Sequence, residues 1–181
     1  QFSPIVERIH KNDVPSGLKL MGPEEEDDYV IAPWTVDARK FGKFYIEIFD
    51  EWVRNDVGQY FVQIFDATLA NTVGEQPGSC IYAEKCGHAS VMEFNGDVYA
   101  CDHYVFPEYK LGNIKHKTIF EMMFSEEQLR FGSDKRDKLP TQCKQCEFLK
   151  LCNGECPKNR IIKTPTGEPG LNYLCAGFKL Y

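Results

Sequence analysis

The first 79 residues of this 181-residue chain contain no cysteine, although the chain has eight cysteines in all. All eight lie between Cys80 and Cys175. A chain of this length allows one domain, or one domain with a large appendage, and can bury a core without cross-links. We therefore expect residues 1–79 to fold without cysteine and residues 80–181 to be organised around it.

Other absences exclude whole classes of protein. No apolar run approaches the roughly 20 residues of a membrane helix, and no secretory signal pattern is visible. The content of 13% aromatic residues is too high for a disordered chain. No basic stripe with interleaved aromatics points to nucleic acid. We expect a cytoplasmic protein with no membrane or nucleic-acid partner, and the start at Gln1 rather than Met predicts a piece of a longer protein.

Charge is unevenly distributed along the chain, whose net charge is −6. Glu24–Asp28 is a run of five acidic residues and predicts a solvated surface loop. Residues 108–181 carry 13 basic and 9 acidic side chains. This surplus fits a site that offsets the negative charge of thiolates, and it fits an ordinary solvated surface equally well.

Hydrophobic spacing predicts several secondary-structure elements in residues 1–79. Phe2–Ile9 predicts a strand, with Pro4 favouring an edge position, and 11–34 a loop. Apolar residues three and four apart predict a helix that begins near Val36 with Thr35 as its cap and ends near Asp56 before Gly58. Alternation over Tyr60–Phe65 predicts a strand, and 66–70 a helical turn.

The cysteine-bearing part shows a hairpin signal and several short helices. Asn95-Gly96 joins two strand-like runs, 89–94 and 98–101, and predicts a two-residue turn in which both residues adopt φ > 0. Thr118–Phe124 predicts a short helix, and Ser125 with Gln128 the capped start of another. Cysteines set the turns from Pro140 to Cys156, and helical turns are expected within 157–162 and 171–180. The overall expectation is an α+β fold.

Three uses of the cysteines compete on spacing alone. The order is Cys80-x5-Cys86-x14-Cys101-x41-Cys143-x2-Cys146-x5-Cys152-x3-Cys156-x18-Cys175. An even count permits disulfides, but the Cys-x2-Cys pair suits a single metal better. Two Cys₄ zinc sites and two [4Fe–4S] clusters each need eight thiolates, and spacing does not separate them. The four histidines show no ligand spacing and are expected to be surface or packing residues.

One family carries the same arrangement of cysteines and neighbouring residues. Its features here are the hairpin run Asn-Gly-Asp-Val-Tyr-Ala-Cys-Asp at 95–102, Leu-Gly-Asn at 111–113, and Cys-Asn-Gly-Glu-Cys-Pro at 152–157. The chain from Cys80 to Tyr181 thus resembles the C-terminal SPASM domain of radical S-adenosylmethionine enzymes, most closely the anaerobic sulfatase-maturating enzymes. Residues 1–79 resemble, less specifically, the last strand of that family's partial (β/α)₆ barrel and its connection to the SPASM domain.

The resemblance implies two [4Fe–4S] clusters with interleaved ligands. The implied sets are Cys80, Cys86, Cys101 and Cys156 for the first cluster, and Cys143, Cys146, Cys152 and Cys175 for the second. Because Cys152 and Cys156 then serve different clusters, loss of one cluster should disturb the other. Zinc remains an alternative for an isolated fragment.

The resemblance also implies a reaction and a base. A 5′-deoxyadenosyl radical would take hydrogen from Cβ of a cysteine or serine in an unfolded sulfatase segment of the CxPxR or SxPxR type. Asp102, which follows Cys101, would remove the side-chain proton, with its pKa lifted by partial burial and a nearby negative cluster. The auxiliary clusters would accept the electron, and the product is Cα-formylglycine. A turn or capping role is the alternative for Asp102.

The chain departs from the family in lacking the Cys-x3-Cys-x2-Cys radical-cluster loop. Its one Cys-x3-Cys pair is Cys152 and Cys156, and Asn159 stands three residues further on. We therefore expect S-adenosylmethionine and a third cluster to belong to a missing N-terminal barrel, and this chain to be inactive alone. A SPASM domain acting on another peptide and a zinc-stabilised interaction module remain alternative functions.

Overall fold

Helices and two small antiparallel sheets make up the computed structural model, which describes residues 2–13, 21–22 and 28–181. The elements are β1 (Arg8–His10), β2 (Tyr29–Ile31), α1 (Ala38–Asn55), α2 (Gln63–Val73), β3 (Val91–Met92), β4 (Asp97–Tyr99), β5 (Lys110–Asn113), α3 (Ile119–Met123), α4 (Glu126–Asp137), α5 (Thr141–Lys144), α6 (Leu149–Cys152) and α7 (Cys175–Phe178). The expected α+β class is confirmed. Most of the acidic run at 24–28 lies outside the described residues.

The N-terminal strand is shorter than predicted. β1 starts at Arg8 and pairs antiparallel with β2, so the strand prediction was wrong for residues 2–7. The loop predicted over 11–34 contains β2, which supplies that partner. Before β1, the side chains of Phe2 and Ile5 are exposed, whereas Val6 is buried.

Helix α1 begins two residues later than predicted. Asp37, not Thr35, caps it, because the Asp37 carboxylate accepts from the Lys40 amide at 2.8 Å. Thr35 Oγ1 instead accepts from the Glu7 amide and donates to the Glu7 carbonyl. The predicted end is confirmed, since the helix stops at Asn55.

The strand predicted over Tyr60–Phe65 is wrong, because helix α2 starts at Gln63. Ile64, Ala67 and Asn71 are all buried. Their spacings of three and four residues are those of one helix face. The alternation of apolar residues over 60–65 had indicated a strand instead. The helical turn expected at 66–70 lies inside α2, which ends at Gly74 in the left-handed region.

The hairpin is confirmed, but its turn differs from the one predicted. Gly96 has a φ of +88°, whereas Asn95 does not have a positive φ. The Gly96 amide donates to the Glu93 carbonyl, and the Glu93 amide donates to the Asp97 carbonyl. This is a three-residue connection with a bulge at glycine. β5 was not predicted, and it pairs with β4 in the order β3-β4-β5.

The short helices follow their predicted caps. Thr118 and Glu121 form a capping box at α3, and Ser125 Oγ accepts from the Gln128 amide at the start of α4. The helical turns expected within 157–162 and 171–180 are present at Pro157–Asn159 and in α7. In the described ranges, no helix is both long and apolar enough to cross a membrane.

One hydrophobic core joins the cysteine-free and cysteine-bearing parts of the chain. Its buried members are Val6, Phe41, Tyr45, Ile64, Phe65, Ala67, Tyr82 and Leu174. Helix α7, which begins at Cys175, packs against α1 with glycine facing glycine. A Cβ atom on Gly42 would lie 2.6 Å from the Gly177 carbonyl oxygen. The position of Cys175 therefore depends on a close contact with α1.

Gly42→Ala should destabilise the protein even though alanine favours a helix by about 1 kcal/mol over glycine. The added methyl group meets backbone atoms of α7, and such overpacking costs about 1–3 kcal/mol. Urea unfolding would measure the change. Gly87→Ala is the control, since a Cβ atom there has no neighbour within 4 Å. A Gly42→Ala protein as stable as the control would contradict the close packing of α1 and α7.

Candidate functional site

The eight cysteines are free thiols that line two cavities. The first cavity, of about 430 Å³, is lined by Cys80, Cys86, Cys101 and Cys156. The second, of about 210 Å³, is lined by Cys143, Cys146, Cys152 and Cys175. Seven of the thiol residues are partly buried, and Cys80 is exposed. The structure therefore brings the cysteines together as two groups of four.

The thiols within each cavity oppose one another's ionisation. Burial raises the pKa of Cys101 to about 12, and negative charge on Asp102 and Cys86 adds to the rise. In the second cavity burial raises the pKa of Cys143 to about 11, helped by Cys175 and Cys152. Four thiolates can share such a cavity only with a cation to offset their charge, so metal binding there must displace protons. The donor chemistry of both cavities fits a thiolate-bound metal or iron–sulfur cluster.

One face of helix α4 positions three cysteines of the first cavity. Gln128 Nε2 donates to the Gly87 carbonyl at 3.1 Å and to the Ala100 carbonyl at 3.2 Å, which fixes the neighbours of Cys86 and Cys101. One turn later, Gly132 and Cys86 touch. The Cys86 amide donates to the Gly132 carbonyl, and a Cβ atom on Gly132 would lie 2.6 Å from the Cys86 oxygen.

Lys135 completes this face of α4 and reaches the loop that carries Cys80. Its side chain is 1% exposed, and its Nζ donates to the carbonyls of Cys80 and Ile81. Burial lowers the pKa of Lys135, while negative charge on Cys86, Cys156 and Cys80 opposes that fall. A buried cation thus lies beside the thiols of the first cavity.

The loop from Cys152 to Cys156 directs its two cysteines to different cavities. Asn153, Gly154 and Glu155 are three consecutive residues with positive φ, at 47°, 69° and 53°. This left-handed conformation is costly for residues with a side chain and needs compensating contacts. As a result Cys152 lines the second cavity and Cys156 the first.

Arg160 and a buried carboxylate stabilise that loop. The Arg160 guanidinium donates to the carbonyls of Asn153, Gly154 and Glu155, and to the Lys135 carbonyl at 2.6 Å. The Glu155 carboxylate accepts from the amides of Asn159 and Asn172. Burial raises the pKa of Glu155, and the two amides oppose the rise. The Arg160 guanidinium therefore binds the carbonyl of each of the three residues with positive φ.

Asp102 lies on the first cavity and is exposed. Its carboxylate accepts a hydrogen bond from Cys101 Sγ at 3.2 Å. This bond lowers the pKa of Asp102, and partial burial opposes the fall. The expected rise in pKa is therefore absent while the Cys101 sulfur carries its proton. A metal-bound thiolate has no proton to donate, so loading of the cavity would remove the main cause of the lowered pKa.

Several residues in or near the first cavity were missed by the sequence analysis. His103 was expected to be a surface or packing residue, yet its Nδ1 lies 3.6 Å from Cys156 Sγ. Ligand atoms of Cys101, Asp102 and His103 lie within 4.8 Å of one another. Lys135 and Arg160 gave no signal beyond the basic surplus of residues 108–181. The Cys-Asp-His run at 101–103 was the one signal that could have drawn attention to His103.

The second cavity is lined by cysteines from three short helices. Cys143 lies in α5, Cys152 ends α6, and Cys175 begins α7. Glu168 accepts from the Thr141 amide at the start of α5. Asn71 Nδ2 donates to the Leu151 carbonyl at 3.0 Å, which ties α6 to α2. Helices from the cysteine-free part of the chain therefore support this cavity.

A family model, related sequences and solved structures all indicate the same family. Residues 83–147 match the SPASM family, described as an iron-sulfur cluster-binding domain. A serine-type anaerobic sulfatase-maturating enzyme of Bacteroides thetaiotaomicron is 59% identical over all 181 residues, which cover 43% of its length. A cysteine-type enzyme of Clostridium novyi is 32% identical over 82% of this chain and 40% of its own.

Solved structures agree with these relatives. The structure of anSMEcpe with bound AdoMet superposes with a TM-score of 0.70 at 28% identity, over 88% of this chain and 41% of that one. A second structure of anSMEcpe contains AdoMet and the Kp18Cys peptide, and superposes with a TM-score of 0.69. The chain spans less than half the length of the relatives it matches. Residues 83–147 therefore match the SPASM family, and the chain as a whole is similar to the C-terminal part of the anaerobic sulfatase-maturating enzymes.

Proposed function

We propose that this chain is the auxiliary-cluster part of an anaerobic sulfatase-maturating enzyme, which oxidises a cysteine or serine of a sulfatase to Cα-formylglycine. The observation that carries the proposal is the division of eight cysteines into two cavities with four thiols each. Four thiolates are the ligand set of one [4Fe–4S] cluster. The first cluster is assigned to Cys80, Cys86, Cys101 and Cys156, and the second to Cys143, Cys146, Cys152 and Cys175.

When bound, the two clusters would supply one-electron acceptors for the oxidation. The protein's own contribution is to hold eight thiolates and to offset their charge. Arg160 acts on thiols of both cavities, because its positive charge opposes the raised pKa of Cys86 and of Cys143. Lys135 does the same for Cys86. The basic surplus of residues 108–181 thus includes one buried cation, Lys135, and one partly buried cation, Arg160, that act on the thiols.

Asp102 is assigned as the general base. Its exposed carboxylate opens on the first cavity, where a side-chain thiol or hydroxyl of a substrate can approach it. A base within hydrogen-bond reach of the proton that it removes is the geometric requirement for this role. The cavity is also lined by Phe2, Lys158 and Asn159, which offer contacts to a peptide. The proposed substrate is an unfolded sulfatase segment with a CxPxR or SxPxR sequence.

The complete reaction needs parts that this sequence does not contain. We assign S-adenosylmethionine and a third cluster to the N-terminal barrel of the full-length cytoplasmic enzyme, so the chain alone is expected to be inactive. Residues 1–79 then form the last barrel strand and the connector, and 80–181 the cluster-binding domain. Phe61 is 84% exposed, and Phe2 and Ile5 are about half exposed, as expected for a surface that the barrel covers. Two alternatives are a SPASM domain acting on another peptide and a zinc-stabilised module.

Metal content separates the clusters from zinc. Protein purified without oxygen should be brown, absorb broadly near about 400 nm, and contain about eight iron atoms per chain, as two four-iron clusters require. Elemental analysis and the absorption spectrum measure this directly. A Cys86→Ala variant should lose the first cluster and weaken the second, because the 152–156 loop serves both cavities. Colourless protein with two zinc ions per chain would favour the interaction module.

Replacing the base tests the reaction assignment. Asp102→Asn in the full-length enzyme should lower formylglycine formation by at least about a hundredfold, the lower range for loss of a general base. Iron content and spectrum should stay unchanged, because Asp102 is not one of the eight thiols. Mass spectrometry of a sulfatase peptide gives the rate. Glu108→Gln is the matched control at an exposed carboxylate outside the cavity lining. Full activity of Asp102→Asn would exclude its role as base.

A further inference from the structure

Lys135 is an unusual cation, because its side chain is the largest fully buried one in the described part of the protein. It lies in the last turn of α4, and its Nζ donates to the Cys80 carbonyl and, at 2.7 Å, to the Ile81 carbonyl. Within residues 2–13, 21–22 and 28–181, no carboxylate forms an ion pair with it. The charge of Glu155 reaches it only from a greater distance.

The hydrogen bond to Cys80 places Lys135 at the first cavity, whose thiols become negative when a metal displaces their protons. Cys86, Cys156 and Cys80 are the cysteines whose charge acts on it. The cations that act on the second cavity are different, namely Arg160 on Cys143 and Lys179 on Cys175. The two residues whose carbonyls its Nζ contacts, Cys80 and Ile81, line the first cavity and not the second. Lys135 is therefore placed to act on the first cavity.

A buried ammonium group is costly unless negative charge compensates it. Here thiolate charge can compensate it, because the first cavity holds that charge once a metal has displaced the thiol protons. Carbonyl groups satisfy two of the three Nζ donors but supply no net charge. The cost of burying the Lys135 ammonium group is thus compensated when a metal or cluster occupies the first cavity.

We propose that Lys135 is a positioning residue that holds the Cys80 loop and raises the reduction potential of the first cluster relative to the second. The inference rests on the proposed function, since it requires a cluster in the first cavity. Reduction adds one electron to a group already made negative by four thiolates. A fixed buried cation nearby favours the reduced form, because net charge and hydrogen bonding set the potential of such clusters. The electron in the experiment below comes from the chemical reductant of the titration.

The test compares three variants of the full 181-residue chain, each loaded with iron and sulfide without oxygen. Lys135→Met keeps the length of the side chain but removes its charge and donors. Lys135→Arg restores both. Lys138→Met is the matched control, because Lys138 lies one turn further, is 70% exposed and pairs with Asp134. Iron content is measured first, and the two midpoint potentials follow from a redox titration monitored by electron paramagnetic resonance.

In Lys135→Met, the ratio of reduced to oxidised form of one cluster at a fixed potential should fall at least tenfold, which is about 59 mV for a one-electron couple. The other cluster should keep its potential, and Lys135→Arg should recover most of the shift. Selective loss of four of about eight irons, with the second cluster retained, would also support the inference. Unchanged potentials, equal shifts of both clusters, loss of both clusters, or the same shift in Lys138→Met would overturn it. If the unmodified chain binds no iron, the proposed function itself fails, and that result is distinct from all of these.

Discussion

The contact between helix α4 and the loops beneath it is the interaction on which the rest of the site depends. Gln128, Gly132 and Lys135 lie on one face of the helix, because their spacings of four and three residues match its turn. Each contacts the backbone next to a different cysteine of the first cavity. Hydrogen bonds to carbonyls fix the loops without using the thiols, which stay available as ligands. A helix that contains no cysteine thus organises a cysteine site.

The second constraint is the loop that connects the two cavities. Four residues after Cys152 the chain must present Cys156 to a different space, and three successive left-handed residues achieve this reversal. Such a conformation persists only where the surroundings hold it. Arg160 supplies the necessary donors, and its bond to the Lys135 carbonyl joins the loop to α4. Through these contacts we expect a disturbance of one cavity to affect the other.

The elements that sequence patterns located correctly are those decided by local chemistry. Ser125 and Thr118 cap their helices because a hydroxyl satisfies amides of the first turn, whatever the rest of the fold does. Asn95-Gly96 located the hairpin because glycine alone tolerates the turn cheaply. Predictions failed where two readings were locally equal. Thr35 and Asp37 are both good helix caps. Because the Thr35 hydroxyl is hydrogen-bonded to Glu7, Asp37 is the residue that caps α1.

By itself, the sequence determined that eight thiols serve the C-terminal part of the chain, that they sit around a hairpin, and that the arrangement resembles the SPASM family. Ligand type and spacing are local properties, so the sequence gives them without a three-dimensional structure. Only the tertiary structure decided that the cysteines line two cavities in groups of four, and that buried Lys135 and partly buried Arg160 are the cations near them. Lys135 contacts the Cys80 carbonyl across 55 residues of sequence, and Arg160 contacts the Lys135 carbonyl across 25. Only packing brings such distant segments into contact.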